Sequence, residues 1–255
     1  MIYVCSDIHG YYRMFLKMLD KIQFSDDDTM YIIGDVVDRG PEPVALLIDV
    51  LNRKNVTLMI GNHEHMMIQG MLYDNDDEYN DWMWNGGGVT LCQLELLDSG
   101  YMTGLLKRLE ECPLIIPDLK VNGRSYYLAH ASHALYPEKE VLLYKDAGEQ
   151  NRERVLWNRD YRIIRPKKLG YAYRRLYNEY KNTTLLIGHT PVHKCSYGVI
   201  SRAGFNRISR SRSGHLINLD CGCTAGLTLG CLRLDDMKEF YVDRRSPYDL
   251  HSGRA

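Results

Sequence analysis

Ile2-Tyr3-Val4-Cys5-Ser6-Asp7-Ile8-His9-Gly10 opens the chain and turns within nine residues from an apolar β-type run to a polar cluster. The same change recurs twice. Thr29–Ile33 runs into Gly34-Asp35-Val36-Val37-Asp38-Arg39-Gly40, and Val56–Ile60 runs into Gly61-Asn62-His63-Glu64. Between these runs lie stretches with helical spacing. Met14, Phe15, Met18 and Leu19 share one face of Tyr11–Ile22. Pro41 is expected to start a second helix, where its missing N–H costs nothing, and that helix should reach about Asn52. From Asn62 the pattern is helical again. A βαβαβ order with short connections predicts parallel strands.

Working outward, residues from about Met71 to Leu109 read as mostly helical, interrupted by an acidic stretch, Asp74–Asp81, expected as a solvated loop. Asn85-Gly86-Gly87-Gly88 is a break before a helix. It lacks the Lys-Ser/Thr of a P-loop and is expected as a structural turn near the cleft. Strands return at Ser125–His130, Thr184–Ile187, Leu216–Leu219, Leu227–Leu234 and Lys238–Val242. Lys145–Lys181 is highly charged and reads as mixed helix and loop. Ser201–Ser213, with four arginines, reads as a basic loop. Residues 244–255 are polar and read as a disordered tail. No repeat or linker divides the 255 residues, so one domain over 1–255 is expected.

Composition narrows the class. Acidic and basic residues nearly cancel (32 − 33 = −1), so no global field draws the chain to nucleic acid or an anionic membrane. No run of about 18 apolar residues spans a membrane, and the N-terminus lacks a basic region followed by an apolar one. It reads as the first buried strand of a cytoplasmic protein. Seven irregularly spaced cysteines do not form a disulfide framework. Cys221-Gly222-Cys223 has no second pair downstream and reads as packing rather than zinc binding.

The chemistry sits at the strand ends. In parallel sheets the crevice beyond the carboxyl ends of the strands binds ligands. Three adjacent ends would gather Asp7, His9, Asp35, Asp38, Asn62 and His63; later strands end in Ala129-His130-Ala131 and Gly188-His189-Thr190. Carboxylate, imidazole and amide oxygen without thiolate suit Mn²⁺, Fe or Zn²⁺. There are more candidate ligands than one four-coordinate ion requires, and two metals are a known solution for phosphate-ester hydrolysis. Singly, each motif has a blander reading: an exposed turn, a helix cap with a salt bridge, another cap. All three occur in order after strands, at intervals of 26 and 27 residues (His9 to Asp35, Asp35 to Asn62).

Asp-x-His, Gly-Asp-x-x-Asp-Arg-Gly, Gly-Asn-His-Glu and two later histidines together resemble the calcineurin-like metallophosphoesterases, in particular the phosphoprotein phosphatase branch with its bacterial and phage Ser/Thr phosphatases. The resemblance spans most of the chain. It implies an α/β fold of two mixed β-sheets packed as a sandwich and flanked by helices. It also implies a two-metal site: Asp7 and His9 on the first ion, Asn62, His130 and His189 on the second, Asp35 bridging. Mn²⁺ is the ion expected to support activity in vitro, with Fe or Zn²⁺ as alternatives. A hydroxide between the metals would attack phosphorus in line. Arg39 would bind phosphate oxygens, with Asn62 and a second arginine, Arg159, assisting. His63, held by Asp38, would protonate the leaving group.

The resemblance also bears on substrate. Many relatives carry an arginine just before Gly-Asn-His-Glu, where this chain has Ile60, so phosphate binding would rest on Arg39 and Arg159. Symmetrical dinucleoside tetraphosphatases typically have a non-acidic residue at the position of Asp38, and diesterase relatives often have Asp at that of Glu64. A phosphoprotein or phosphopeptide substrate is therefore expected, with no stable nucleic-acid binding and no membrane partner. Dinucleoside polyphosphate hydrolysis is the alternative. A non-catalytic binding module is a third reading, disfavoured because every ligand position is intact. His65, His133, His193, His215 and His251 have no assigned role, and Trp82, Trp84 and Trp157 read as packing residues.

Overall fold

The computed structural model describes residues 1–134, 138–159, 182–194, 200–201, 206–211 and 214–244. The first half alternates strand and helix as the periodicity requires: β1 (Ile2–Cys5), α1 (Tyr12–Ile22), β2 (Thr29–Ile33), α2 (Pro43–Asn52), β3 (Val56–Met59) and α3 (Asn62–Leu72). Three further helices follow: α4 (Asp76–Trp84), α5 (Gly88–Leu94) and α6 (Ser99–Glu110). The rest is mainly β: β4 (Pro113–Val121), β5 (Arg124–Ala129), β6 (Leu142–Leu143), then α7 (Glu149–Trp157), β7 (Thr183–Ile187), β8 (Ile200–Ser201), β9 (Ser209–Ser211), β10 (Leu216–Asn218), β11 (Thr228–Arg233) and β12 (Lys238–Asp243).

Among the described residues the strands form two mixed sheets, ordered β12-β11-β1-β2-β3 and β6-β4-β5-β7-β10-β9-β8. β1, β2 and β3 are parallel, as expected. In the second sheet β5, β7 and β10 are parallel. The alternation of side chains along each strand explains the sandwich. Val4, Ile33, Met59 and Leu232 face Leu128, Leu186, Ile217 and Ile116 in one buried cluster between the sheets. Their neighbours Tyr3, Cys5, Met30 and Ile32 point the other way, onto Phe15, Met18 and Leu47 of α1 and α2. Each parallel trio thus presents its carboxyl ends at one rim, and the polar motifs follow those ends.

Several expectations are corrected. Helix α2 begins at Pro43, not Pro41, because the Glu42 N–H donates to Gly10 O at 2.9 Å and holds the chain outside the helix. Asp74–Asp81 is not a loop throughout: α4 covers Asp76 onward. The Asn75 side chain accepts from Glu78 N, and Asp76, Asp77 and Glu78 complement the positive end of the helix. Strand β4 adds to the expected strands. Trp84 does not pack; it is 89% exposed, whereas Trp82 is fully buried.

The basic stretch Ser201–Ser213 is not simply a loop. Ser209 and Ser211 are buried on β9, and Arg210 pairs with Glu239 at 2.5 Å. Residues 202–205 and 212–213 of that stretch, 160–181 of the charged segment, Cys195, and the tail beyond Arg244 with His251 lie outside the described residues. The described cysteines are free thiols, and Cys221 and Cys223 are buried. No helix among the described residues is long and apolar enough to cross a membrane.

Candidate active site

The loops after β1, β2 and β7 carry an unusual backbone. Asp7, His9, Asp35, Asp38, Arg39 and His189 all have φ between 48° and 71°. Non-glycine residues avoid that region, so strain is concentrated where the motifs meet. Glu64 holds much of it in place. Its carboxylate is buried and accepts from the backbone N–H groups of Asp35, Val36, Val37 and Gly61, at 2.8, 2.8, 3.2 and 2.9 Å. Burial and the nearby Asp35 push the Glu64 carboxyl up in pKa, while those N–H bonds oppose the shift. Glu64→Gln would turn an amide NH₂ toward backbone donors. We expect a loss of about 3 kcal/mol in unfolding stability, measured by urea denaturation, because a buried charged acceptor is removed.

Asp35 lies at the centre. Its Oδ2 is 3.4 Å from both His9 Nε2 and His130 Nε2, and its Oδ1 accepts from His63 N at 3.1 Å. Gly61 has no side chain because a Cβ there would strike Asp35 Oδ1. Two histidines are pre-set as ligands: His9 Nδ1 donates to Val37 O and His130 Nδ1 to Ile33 O, each at 2.9 Å. This orients each ring with Nε2 facing the cluster, as in metal-binding histidines. Asn62 Oδ1 lies 2.9 Å from both His130 Nε2 and His189 Nδ1. His189 Nε2 is buried with no hydrogen-bond partner.

The ligand atoms fall into two sets, His9–Asp35–His63 and Asp35–His130–His189, each within 4.8 Å, with Asp35 common to both. Asp7 adjoins them. Its carboxylate accepts from His189 N at 3.0 Å and from the Ser6 hydroxyl. His63, expected as an acid, also stands within reach of the first set. Burial opposes charge on His130, but Asp35 and Asp7 outweigh it and push its pKa up to about 10. Burial pushes Asp7 up, reinforced by Asp220, and drives His9 and His189 down. Asp220, buried and shifted up to about 6 mainly by burial, is a further carboxylate that no motif had flagged.

Beside the cluster, His63 Nδ1 meets Asp38 Oδ2 at 2.5 Å. Arg39 Nη1 and Nη2 reach His9 Nε2 at 3.1 Å and His63 Nε2 at 2.8 Å, and its Nε donates to Asn85 O at 3.1 Å. The Asn-Gly-Gly-Gly turn is therefore at the site, as expected. Arg159 Nε donates to Thr190 Oγ1 at 3.1 Å, and the Trp157 ring stands edge-on to His189 at 6.0 Å. His65 packs away from the cluster, on Tyr144 OH at 2.7 Å.

Two mixed sheets with an Asp/His/Asn cluster at one rim define a metal-dependent hydrolase. This chain belongs to the calcineurin-like phosphoesterase family, whose model matches residues 1–204. Serine/threonine-protein phosphatase 2 of Salmonella typhimurium is 34% identical over 161 residues, 62% of this chain and 68% of the relative. A symmetrical bis(5'-nucleosyl)-tetraphosphatase of Legionella pneumophila is 26% identical over 282 aligned positions, 94% of this chain and 96% of the relative. A serine/threonine phosphatase structure from Saccharomyces cerevisiae superposes with a TM-score of 0.55 at 18% identity, over 96% of this chain and 79% of that one, which supports the fold. The chain is thus a phosphoesterase, and its His/Asp cluster fits the dinuclear divalent-metal site that the family uses.

Proposed function

We propose that the chain is a phosphomonoesterase that hydrolyses phosphoserine and phosphothreonine in proteins or peptides. The observation that carries this reading is the Asp38–His63 pair at 2.5 Å beside the metal-ligand cluster. An alkoxide leaving group is strongly basic and needs a proton as it departs. A nucleotide leaving group is a weak base and does not. A buried carboxylate–imidazole pair at this place therefore favours a serine or threonine ester.

Asp7, His9 and Asp35 are assigned to one ion, and Asn62, His130 and His189 to the other, with Asp35 shared. When bound, the two cations supply an activated water and offset phosphate charge. Arg39 and Arg159 bind the phosphate oxygens, Arg39 in a fork that leaves His63 for phosphate when substrate arrives. Asp38 keeps His63 oriented with Nε2 toward the leaving oxygen. Mn²⁺ is the ion we expect to serve in vitro. Buried free thiols support a reducing, cytoplasmic setting.

Dinucleoside polyphosphate hydrolysis is the second reading, favoured by a relative of that activity that aligns along 94% of the chain. Phosphate release from a phosphoserine/phosphothreonine peptide and hydrolysis of a dinucleoside tetraphosphate, each with Mn²⁺ and with chelator, separate the two. We expect chelator-sensitive release from the peptide. Cleavage of the dinucleotide alone would transfer the function to the second reading.

A further inference from the structure

Asp38 is fully buried, and His63 is not its only partner. Trp82 Nε1 donates to both carboxylate oxygens, at 3.0 and 2.9 Å. Thr90 Oγ1 donates to Oδ1 at 2.5 Å and accepts from Asp38 N at 3.0 Å. One hydroxyl thus pins both the side chain and the backbone of a residue at φ 71°, a conformation Asp does not favour unaided. Trp82 and Thr90 are themselves fully buried. A Cβ on Gly87 would lie 2.5 Å from Trp82 Nε1, so that glycine lets the turn close over the indole. The Arg39 N–H donates to Gly86 O at 3.3 Å, tying the same turn to the phosphate-binding arginine.

With donors on both oxygens, the carboxylate cannot rotate away from His63 Nδ1. An imidazole that must present Nε2 to a departing oxygen tolerates little reorientation. We propose that Trp82 and Thr90 are positioning residues for proton delivery, acting on His63 through Asp38. The inference rests on the assignment of His63 as proton donor. It gives the helices α4 and α5 a task in the chemical step, beyond packing.

The test compares kcat and KM for a phosphoserine peptide and for 2,4-dinitrophenyl phosphate, whose leaving group departs without a proton. Metal content is measured on each variant. Trp82→Phe and Thr90→Val should lower peptide kcat roughly tenfold, with KM and aryl phosphate turnover within about twofold of wild type. Thr90→Ser, which keeps the hydroxyl, should restore the wild-type ratio. In a His63→Asn background, Thr90→Val should change peptide turnover by less than about twofold, since the two act in series. Thr90→Val and Thr90→Ser carry the test if Trp82→Phe does not fold. Equal losses on both substrates in the Trp82 and Thr90 variants, with a selective loss in His63→Asn, would overturn this inference alone. Equal losses in His63→Asn would overturn both it and the proton-donor assignment.

Discussion

Asp35→Asn is expected to lower turnover of every substrate by at least about 1,000-fold, or about 4 kcal/mol of transition-state stabilisation. The size follows from its place. Asp35 is common to both ligand sets, with Oδ2 3.4 Å from a histidine of each. An amide keeps one acceptor oxygen and turns a neutral NH₂ where the second anionic oxygen stood, so the two cations proposed for the site would lose a shared charge. The loss should be the same for alkyl and aryl phosphates, because the nucleophile is affected rather than the leaving group. Steady-state rates on both substrates check this. A fall below about tenfold would remove Asp35 from the centre of the site.

His63→Asn is expected to behave in the opposite way. Turnover of a phosphoserine peptide should fall about 100- to 10,000-fold, the usual worth of a general acid, while 2,4-dinitrophenyl phosphate loses less than about tenfold. The contrast matters because His63 also stands among the ligand atoms with His9 and Asp35. A ligand role predicts equal losses and reduced metal content. A proton-donor role predicts unequal losses with metal retained. Elemental analysis beside the two rate measurements separates these outcomes.

Much of this was legible in the sequence, and the reason is local. Asp7, His9, Asp35, Asn62 and His63 each follow an apolar strand within a few residues, so parallel pairing alone brings them to one rim. His130 and His189 follow β5 and β7 in the same way. What was not legible came from contacts across long separations. Trp82 reads as a packing aromatic, yet its indole N–H meets a carboxylate 44 positions earlier in the chain. Thr90 reaches back 52 positions, and no spacing rule signals either contact. The sequence does not show that Glu64, through four backbone bonds, is a clamp on the strained loop. Helix α4 was hidden because its acidic first turn reads as a solvated loop. The cap at Asn75 turns those same charges into a stable helix start.

Metal stoichiometry tests the central claim most directly. The protein would be stripped with chelator, dialysed, and titrated with Mn²⁺ while bound metal and phosphate release from the peptide are followed together. Activity that returns fully only as the second ion per chain is bound is the predicted result. Full activity with one ion or none would contradict a phosphoesterase built on two metals sharing Asp35.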